Sequence, residues 1–294
     1  MTECTERSEG REGMPTEHSM TTTVVRAGHG PMHVARIGWA RGVLEVREFF
    51  RQRESVVFTL LFPVIFLLIF GSLLNFPIQG GLKFTQYFAP GIMAVGLFGA
   101  SFQTLAIQIA VERDKGILKR LEGTPMPPQA YFIGKIVMVF ATVVLEIAIL
   151  LVISVALGKV SLPSDWHRWL TMTWVTLIGV AAGSMLGIAF SSVPRSGKAA
   201  PAVVTPVALI LQFISGVYFV FTGFPKPLQY IGAFFPLKWI AQGYRSVFLP
   251  QSYAPYEPAH GWEHGRTALI LAAWAVFGLL LALRTFRWRT ARDA

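Results

Sequence analysis

Six long apolar runs limit what this chain can fold into. They cover about 56–74, 87–111, 136–158, 169–192, 200–222 and 267–284. A helix needs roughly 20 apolar residues to cross the hydrocarbon core of a bilayer. Lipid offers no partner to backbone amides and carbonyls, so a spanning chain must be helical or close into a barrel. Barrel strands alternate apolar and polar residues with period two, and these runs do not. The expected fold class is all-α, a polytopic membrane protein with six transmembrane helices. Asp, Glu, Lys and Arg make up 14% of the 294 residues, and the mean hydropathy is +0.52. Soluble domains carry roughly 25% charged residues.

A net charge of +10 fits either nucleic-acid binding or basic loops on one membrane face. Placement separates the two. Six spans put both ends of the chain on one side. That side would hold Arg36, Arg41, Arg47, Arg51 and Arg53, then Arg113, Lys115, Lys119, Arg120 and Lys135. It would also hold Arg195, Lys198, Arg284, Arg287, Arg289 and Arg292. The other side has only Lys83, Lys159, Arg168, Lys226, Lys238, Arg245 and Arg266. The bias predicts cytoplasmic termini and explains the charge without nucleic acid. Cys4 is the sole cysteine, which excludes an intrachain disulfide and a thiolate metal cluster. Residues 1–31 read as a disordered cytoplasmic tail, 32–55 as an amphipathic helix, and 56–290 as the membrane domain.

The segment ERDKGILKRLEGTPMPPQAYFIGK, 112–135, packs charges of both signs between two apolar runs. Pro125, Pro127 and Pro128 stop a helix, because proline lacks the amide donor and disfavours helix in the residue before it. The expectation is a short surface helix near 113–122, a turn at 123–128, and re-entry into the membrane. A solvated loop that fixes topology and a docking surface for a partner both fit these residues.

The chain lacks a phosphate-binding loop. Gly197-Lys198 is followed by Ala199 and Gly134-Lys135 by Ile136, where Ser or Thr is needed. ATP, if it drives this protein, must bind another subunit. Glu146 is the acidic residue within a predicted span. It reads either as an ion relay or as a protonated or paired carboxyl at a helix contact. The second is favoured, since no opposite charge lies deep in another span. Gln103, Gln108 and Gln212 could hydrogen-bond across helices and are candidates for lining a translocation path. His260 and His264, near Glu257 and Glu263, have the spacing of a metal pair. They read more simply as a polar outer loop, because structural zinc normally takes four protein ligands.

In residues 32–53, Trp39, Val43, Val46 and Phe50 form one helical stripe beside Arg36, Arg47 and Arg51. Ile37, Leu44 and Phe49 fall off it. This predicts a helix in the interfacial plane, apolar side toward lipid. A partner protein would suit the same pattern. Between 223 and 266, Pro225, Pro227 and Pro236 break a hydrophobic stretch into pieces too short to span. Short re-entrant helices before the last span are expected there, as an outer gate or as a packing lid.

Taken in order, these segments resemble the permeases of the ABC-2 type exporter family, over about 36–290. The family's charged Glu-Arg-x-x-Gly turn, then Leu, Thr-Pro and Gly-Lys, is matched by Glu112, Arg113, Gly116, Leu121, Thr124, Pro125, Gly134 and Lys135. Ile117 departs from a frequent threonine. Tyr87-Phe88-Ala89-Pro90-Gly91 is similar to the Pro-Gly opening of span two. Ser215-Gly216, Pro236 and Arg245 are similar to the outer re-entrant region and would form the gate.

The resemblance implies a non-catalytic subunit without a cofactor of its own. ATP and Mg would bind two copies of a separate ATP-binding subunit. The permease would be a homodimer or a pair of unlike half-transporters among membrane lipids. Glu112, Arg113, Asp114, Lys115, Gly116, Lys119, Arg120, Thr124 and Pro125 would form the coupling loop seated on the ATPase. Trp39, Val43, Val46 and Phe50 would mark the connecting helix. Spans two and five would line the path. The daunorubicin-resistance branch suggests export of a drug, antibiotic or lipid across a bacterial inner membrane. Glycan export by the same machinery, an ion-coupled carrier, and a membrane enzyme acting on lipid-linked substrates are the alternatives.

Overall fold

The structure, a computed structural model, describes residues 30–286. Nearly all of the expected tail, with Cys4, and the basic residues Arg287, Arg289 and Arg292 lie outside the described residues. The described chain is helical, with one isolated antiparallel bridge from Pro77 to Lys83.

Four helices are long and apolar enough to cross a membrane: α3 (Phe84–Asp114), α5 (Pro128–Ala156), α6 (Trp166–Phe190) and α10 (His264–Thr285). Two apolar helices are shorter, α2 (Val57–Leu73) and α7 (Ala200–Ile214). Other helices are α1 (Pro31–Arg51), α4 (Ile117–Glu122), α8 (Lys226–Phe234) and α9 (Pro236–Phe248). The chain is a multi-pass membrane protein.

Helix α3 is the centre of the bundle. From Phe84 to Phe98 every residue except Gln86 is buried, as expected of a helix apolar on all sides. It is packed by α2, α5, α6 and α9. Helix α10 is peripheral. Leu269, Val276 and Leu283 point outward, and only Thr267, Leu271, Gly278 and Ala282 turn inward. Small residues allow close helix approach where no hydrophobic gain is available. A methyl group on Gly187 of α6 would lie 2.8 Å from the Ser101 carbonyl oxygen of α3.

The fifth apolar run does not continue to 222 as expected. Its helix ends at Ile214 after 15 residues, about 22 Å of rise against a hydrocarbon core of about 30 Å. Gly216 then takes a left-handed conformation, φ 70°, which turns the chain and which glycine adopts without steric cost. Pro236 forces extended backbone on Phe235, φ −87° and ψ 151°, and this divides α8 from α9. All thirteen residues of α9 are buried, including Lys238, Gln242, Arg245 and Ser246. The helix is wedged against α3 and α6.

Candidate functional site

Helix α3 links two polar clusters at opposite ends. At its C-terminal end, Lys115 and Gly116 turn the chain into α4. Gly116 has φ 71°, its amide donates to the Arg113 carbonyl at 3.0 Å, and its carbonyl accepts from the Arg120 amide at 3.1 Å. Leu118 is fully buried and anchors α4 from below. The Thr124 hydroxyl donates to the Leu121 carbonyl at 2.7 Å. Pro128 opens α5, where a missing amide costs nothing.

The elbow sorts its charges. Asp114, Lys115, Lys119, Arg120, Glu122, Thr124 and Pro125 are exposed, and so are Arg195 and Lys198 of the 191–199 connection. Glu112 and Arg113, expected on the docking surface, are turned inward and buried. Arg113 donates to the carbonyls of Ser191 (2.8 Å) and Pro194 (3.1 Å), so it ties the second connection to the first.

Glu112 belongs to a buried ionic cluster that joins three helices. Lys135 of α5, fully buried, bonds Glu45 of α1 at 2.7 Å and also Glu112 of α3. The Tyr131 hydroxyl donates to Glu112 at 2.8 Å. Arg41 bonds the other oxygen of Glu45 at 2.6 Å. Gln108 reaches Glu45 at 3.4 Å. One ammonium between two carboxylates, with further donors on both, meets the condition under which buried charge is tolerated.

Close packing holds α1 in place for this contact. A methyl on Gly38 would lie 2.6 Å from the Ile133 side chain, and one on Gly42 would lie 2.6 Å from Val137. The face of α1 that packs is therefore Val34, Gly38, Gly42, Glu45 and Phe49. Trp39, Val43 and Phe50 of the predicted stripe are exposed, and Val46 is half-buried. The sequence reading missed Glu45, Gly38 and Gly42 as functional positions.

At the other end of α3, Arg245 of α9 is 1% exposed. It donates to the Gly216 carbonyl at 2.5 Å, and its guanidinium lies 3.7 Å from the Tyr87 ring centroid. The Phe221 amide donates to the Tyr87 hydroxyl at 3.1 Å. A methyl on Gly91 would meet the Val217 carbonyl oxygen at 3.3 Å. Residues 87–91 and the 215–221 turn, far apart in sequence, thus form one latch. Ser215 is buried beside it, and Pro236 starts the helix that carries Arg245. Burial raises the Glu257 carboxyl above its ordinary range, with Arg245 and Lys238 pulling the other way.

Between the two ends lies a cavity of ≈ 340 Å³, walled by α2, α3, α5 and α7. Gln103 and Gln212 line it. Gln103 donates to the Thr205 hydroxyl at 3.2 Å, and Gln212 accepts from the Tyr218 hydroxyl at 2.7 Å. Gln108, the third predicted glutamine, is not on this wall. Five residues rotate a helix by about 140°, which points Gln108 at Glu45 instead.

The family signature described as ABC-2 family transporter protein matches residues 78–284. This chain belongs to the ABC-2 transporter family. It is also similar to the Bacillus subtilis (strain 168) protein named "Putative transport permease YvfS". The two are 20% identical over 200 residues, which cover 67% of this chain and 79% of the relative. The protein is thus a transporter permease subunit, and membership in the family implies an ABC-type ATP-binding partner. The matched region contains the elbow, the latch and the α3, α5 and α7 walls of the cavity, whereas α1 and α2 lie ahead of it. In this permease, the ion cluster and the close packing at Gly38 and Gly42 together join α1 to the matched domain.

Proposed function

We propose that this chain is the membrane half of an ATP-driven exporter, seated on its ATP-binding subunits through the exposed face of the α3–α4–α5 elbow. The observation that carries this reading is the sorting of charge at residues 112–125. Glu112 and Arg113 pin the elbow to α5 and the 191–194 connection, and Lys135 extends the link to Glu45 of α1. Lys115, Lys119, Arg120 and Glu122 face outward. A lever needs both a rigid root and a polar contact face. Motion of the ATPase would reach α3 through this root and change the cavity and the latch at its far end. Differential affinity of ATP for two states of the complex supplies the driving force.

The elbow and both termini are assigned to the cytoplasm of a bacterial inner membrane, following the basic residues. Two copies of the permease, alike or paired with an unlike half, would face two ATPase subunits. The cargo is assigned to hydrophobic or amphiphilic molecules, a drug, antibiotic or lipid, because the cavity walls are mostly apolar with a few polar groups. This chain itself performs no catalysis.

The test begins with purification from cells that also express the neighbouring genes. An ATP-binding subunit is expected to co-purify. Gly116→Pro should reduce the complex's ATPase activity by about tenfold or more, because proline cannot adopt the positive φ of residue 116 and lacks its amide. Membrane insertion should be unchanged. Full activity in that variant would refute docking through the elbow.

A further inference from the structure

The geometry points to Glu146 as the recognition group for a cationic amphiphile bound in the cavity between α2, α3, α5 and α7. Glu146 is 1% exposed, and neither carboxylate oxygen has a hydrogen-bond partner. It is the one charged side chain among the residues lining the cavity. The sequence favoured a protonated or paired carboxyl at a helix contact. The contact exists, with Gly96 of α3, where a methyl group would overlap the carboxyl. A pairing partner does not exist among the described residues. A buried polar group without a partner is destabilising, and ionisable groups at membrane depth mark substrate or ion routes.

The rest of the cavity suits an organic cation better than a bare ion. A metal ion prefers several oxygen ligands, and only one carboxylate is present. Phe58, Phe62, Pro63, Val95 and Leu209 supply apolar wall, and two of these are aromatic, the side-chain type that attracts cations. Gln103 and Gln212 supply amides. Both wide helical turns among the described residues fall here. The π-helical turn Val57–Leu61 contributes Phe58 and Thr59, and the π-helical turn Gly99–Thr104 contributes Gly99, Ala100, Gln103 and Thr104. Such turns are rare and concentrate at functional sites. The cavity thus sets a single carboxyl group among largely apolar walls, the complement of a molecule with one positive charge on an apolar body.

The inference rests on the permease reading, since it concerns the cargo that subunit handles. Its test uses this chain alone in lipid nanodiscs, so its failure would leave the ATPase experiment untouched. Two radiolabelled probes of similar shape are compared against empty nanodiscs, the permanent cation tetraphenylphosphonium and the uncharged triphenylphosphine oxide. The unaltered protein should bind the cation at least about tenfold more tightly than the neutral probe. Glu146→Gln should abolish that preference while leaving neutral binding within about twofold, and Glu146→Asp should retain part of it. Leu209→Trp, which fills the chamber and leaves the acid, should weaken both probes. Equal affinity of the unaltered protein for the two probes would overturn the proposal, whatever the variants do. So would an unchanged cation preference in Glu146→Gln.

Discussion

Replacing Lys135 by methionine should destabilise this permease more than any other single change at the elbow. The substitution leaves Glu45 and Glu112 facing each other across a buried site without the ammonium that joins them. Removing one partner of a buried ion pair costs about 3–5 kcal/mol. For a chain of this size that lowers the midpoint of thermal inactivation by about 5–8 °C. The cause is two buried carboxylates that lose their shared cation, so adding Glu45→Gln and Glu112→Gln to Lys135→Met should recover most of the loss. Size-exclusion profiles after stepwise heating in detergent measure both. A Lys135→Met protein as heat-resistant as the parent would show that the cluster does not hold α1 to α3 and α5.

The second large effect is expected at the latch. Arg245→Leu removes the donor to the Gly216 carbonyl and the cation over Tyr87. Hydrogen bonds from charged donors contribute about 1.5–3 kcal/mol. Hydrogen exchange at residues 215–223 and along α9 should therefore accelerate by roughly 10–100-fold, with the elbow unaffected. Arg245→Lys should fall between the two, because an ammonium lacks the planar guanidinium that stacks on Tyr87 while donating sideways. Unaltered exchange in Arg245→Leu would mean that packing alone keeps α9 in its place.

The helical class was legible because lipid leaves the backbone few choices. The end of α4 followed from Pro125, Pro127 and Pro128, whose effects are local, whereas its start at Ile117 rather than near 113 is set by the left-handed turn at Gly116. Other features were not legible because they depend on distant residues. Ser215-Gly216-Val217 reads as a continuing apolar run, yet Gly216 turns the chain and gives its carbonyl to Arg245, 29 residues on. Hydropathy pointed to Trp39, Val43, Val46 and Phe50 on α1. The packed face is marked instead by two glycines and an acid, Gly38, Gly42 and Glu45, which a search for apolar stripes passes over.

Glu112 and Arg113 look no different in sequence from Asp114 and Lys115. Their roles diverge because the first pair lies where α3 meets α5 and the 191–194 connection, and the second begins the exposed turn. Glu146 was visible as an oddity within an apolar run. The cavity it faces could not be seen, since Gly96, Phe58 and Gln212, which line it too, belong to three other helices. Lys135 stood in the Gly-Lys pair of the family pattern. The acid it reaches on α1, Glu45, carried no signal of its own.

The central claim is that the elbow is the seat of the ATP-binding subunit. Photo-crosslinking in intact cells tests it most directly, with benzoylphenylalanine replacing Arg120 on the elbow or Ile231 on α8, both exposed. Irradiation should join the position-120 chain to the ATP-binding subunit and should leave the position-231 chain unjoined to it. An ATPase adduct from position 231, with none from position 120, would contradict the account.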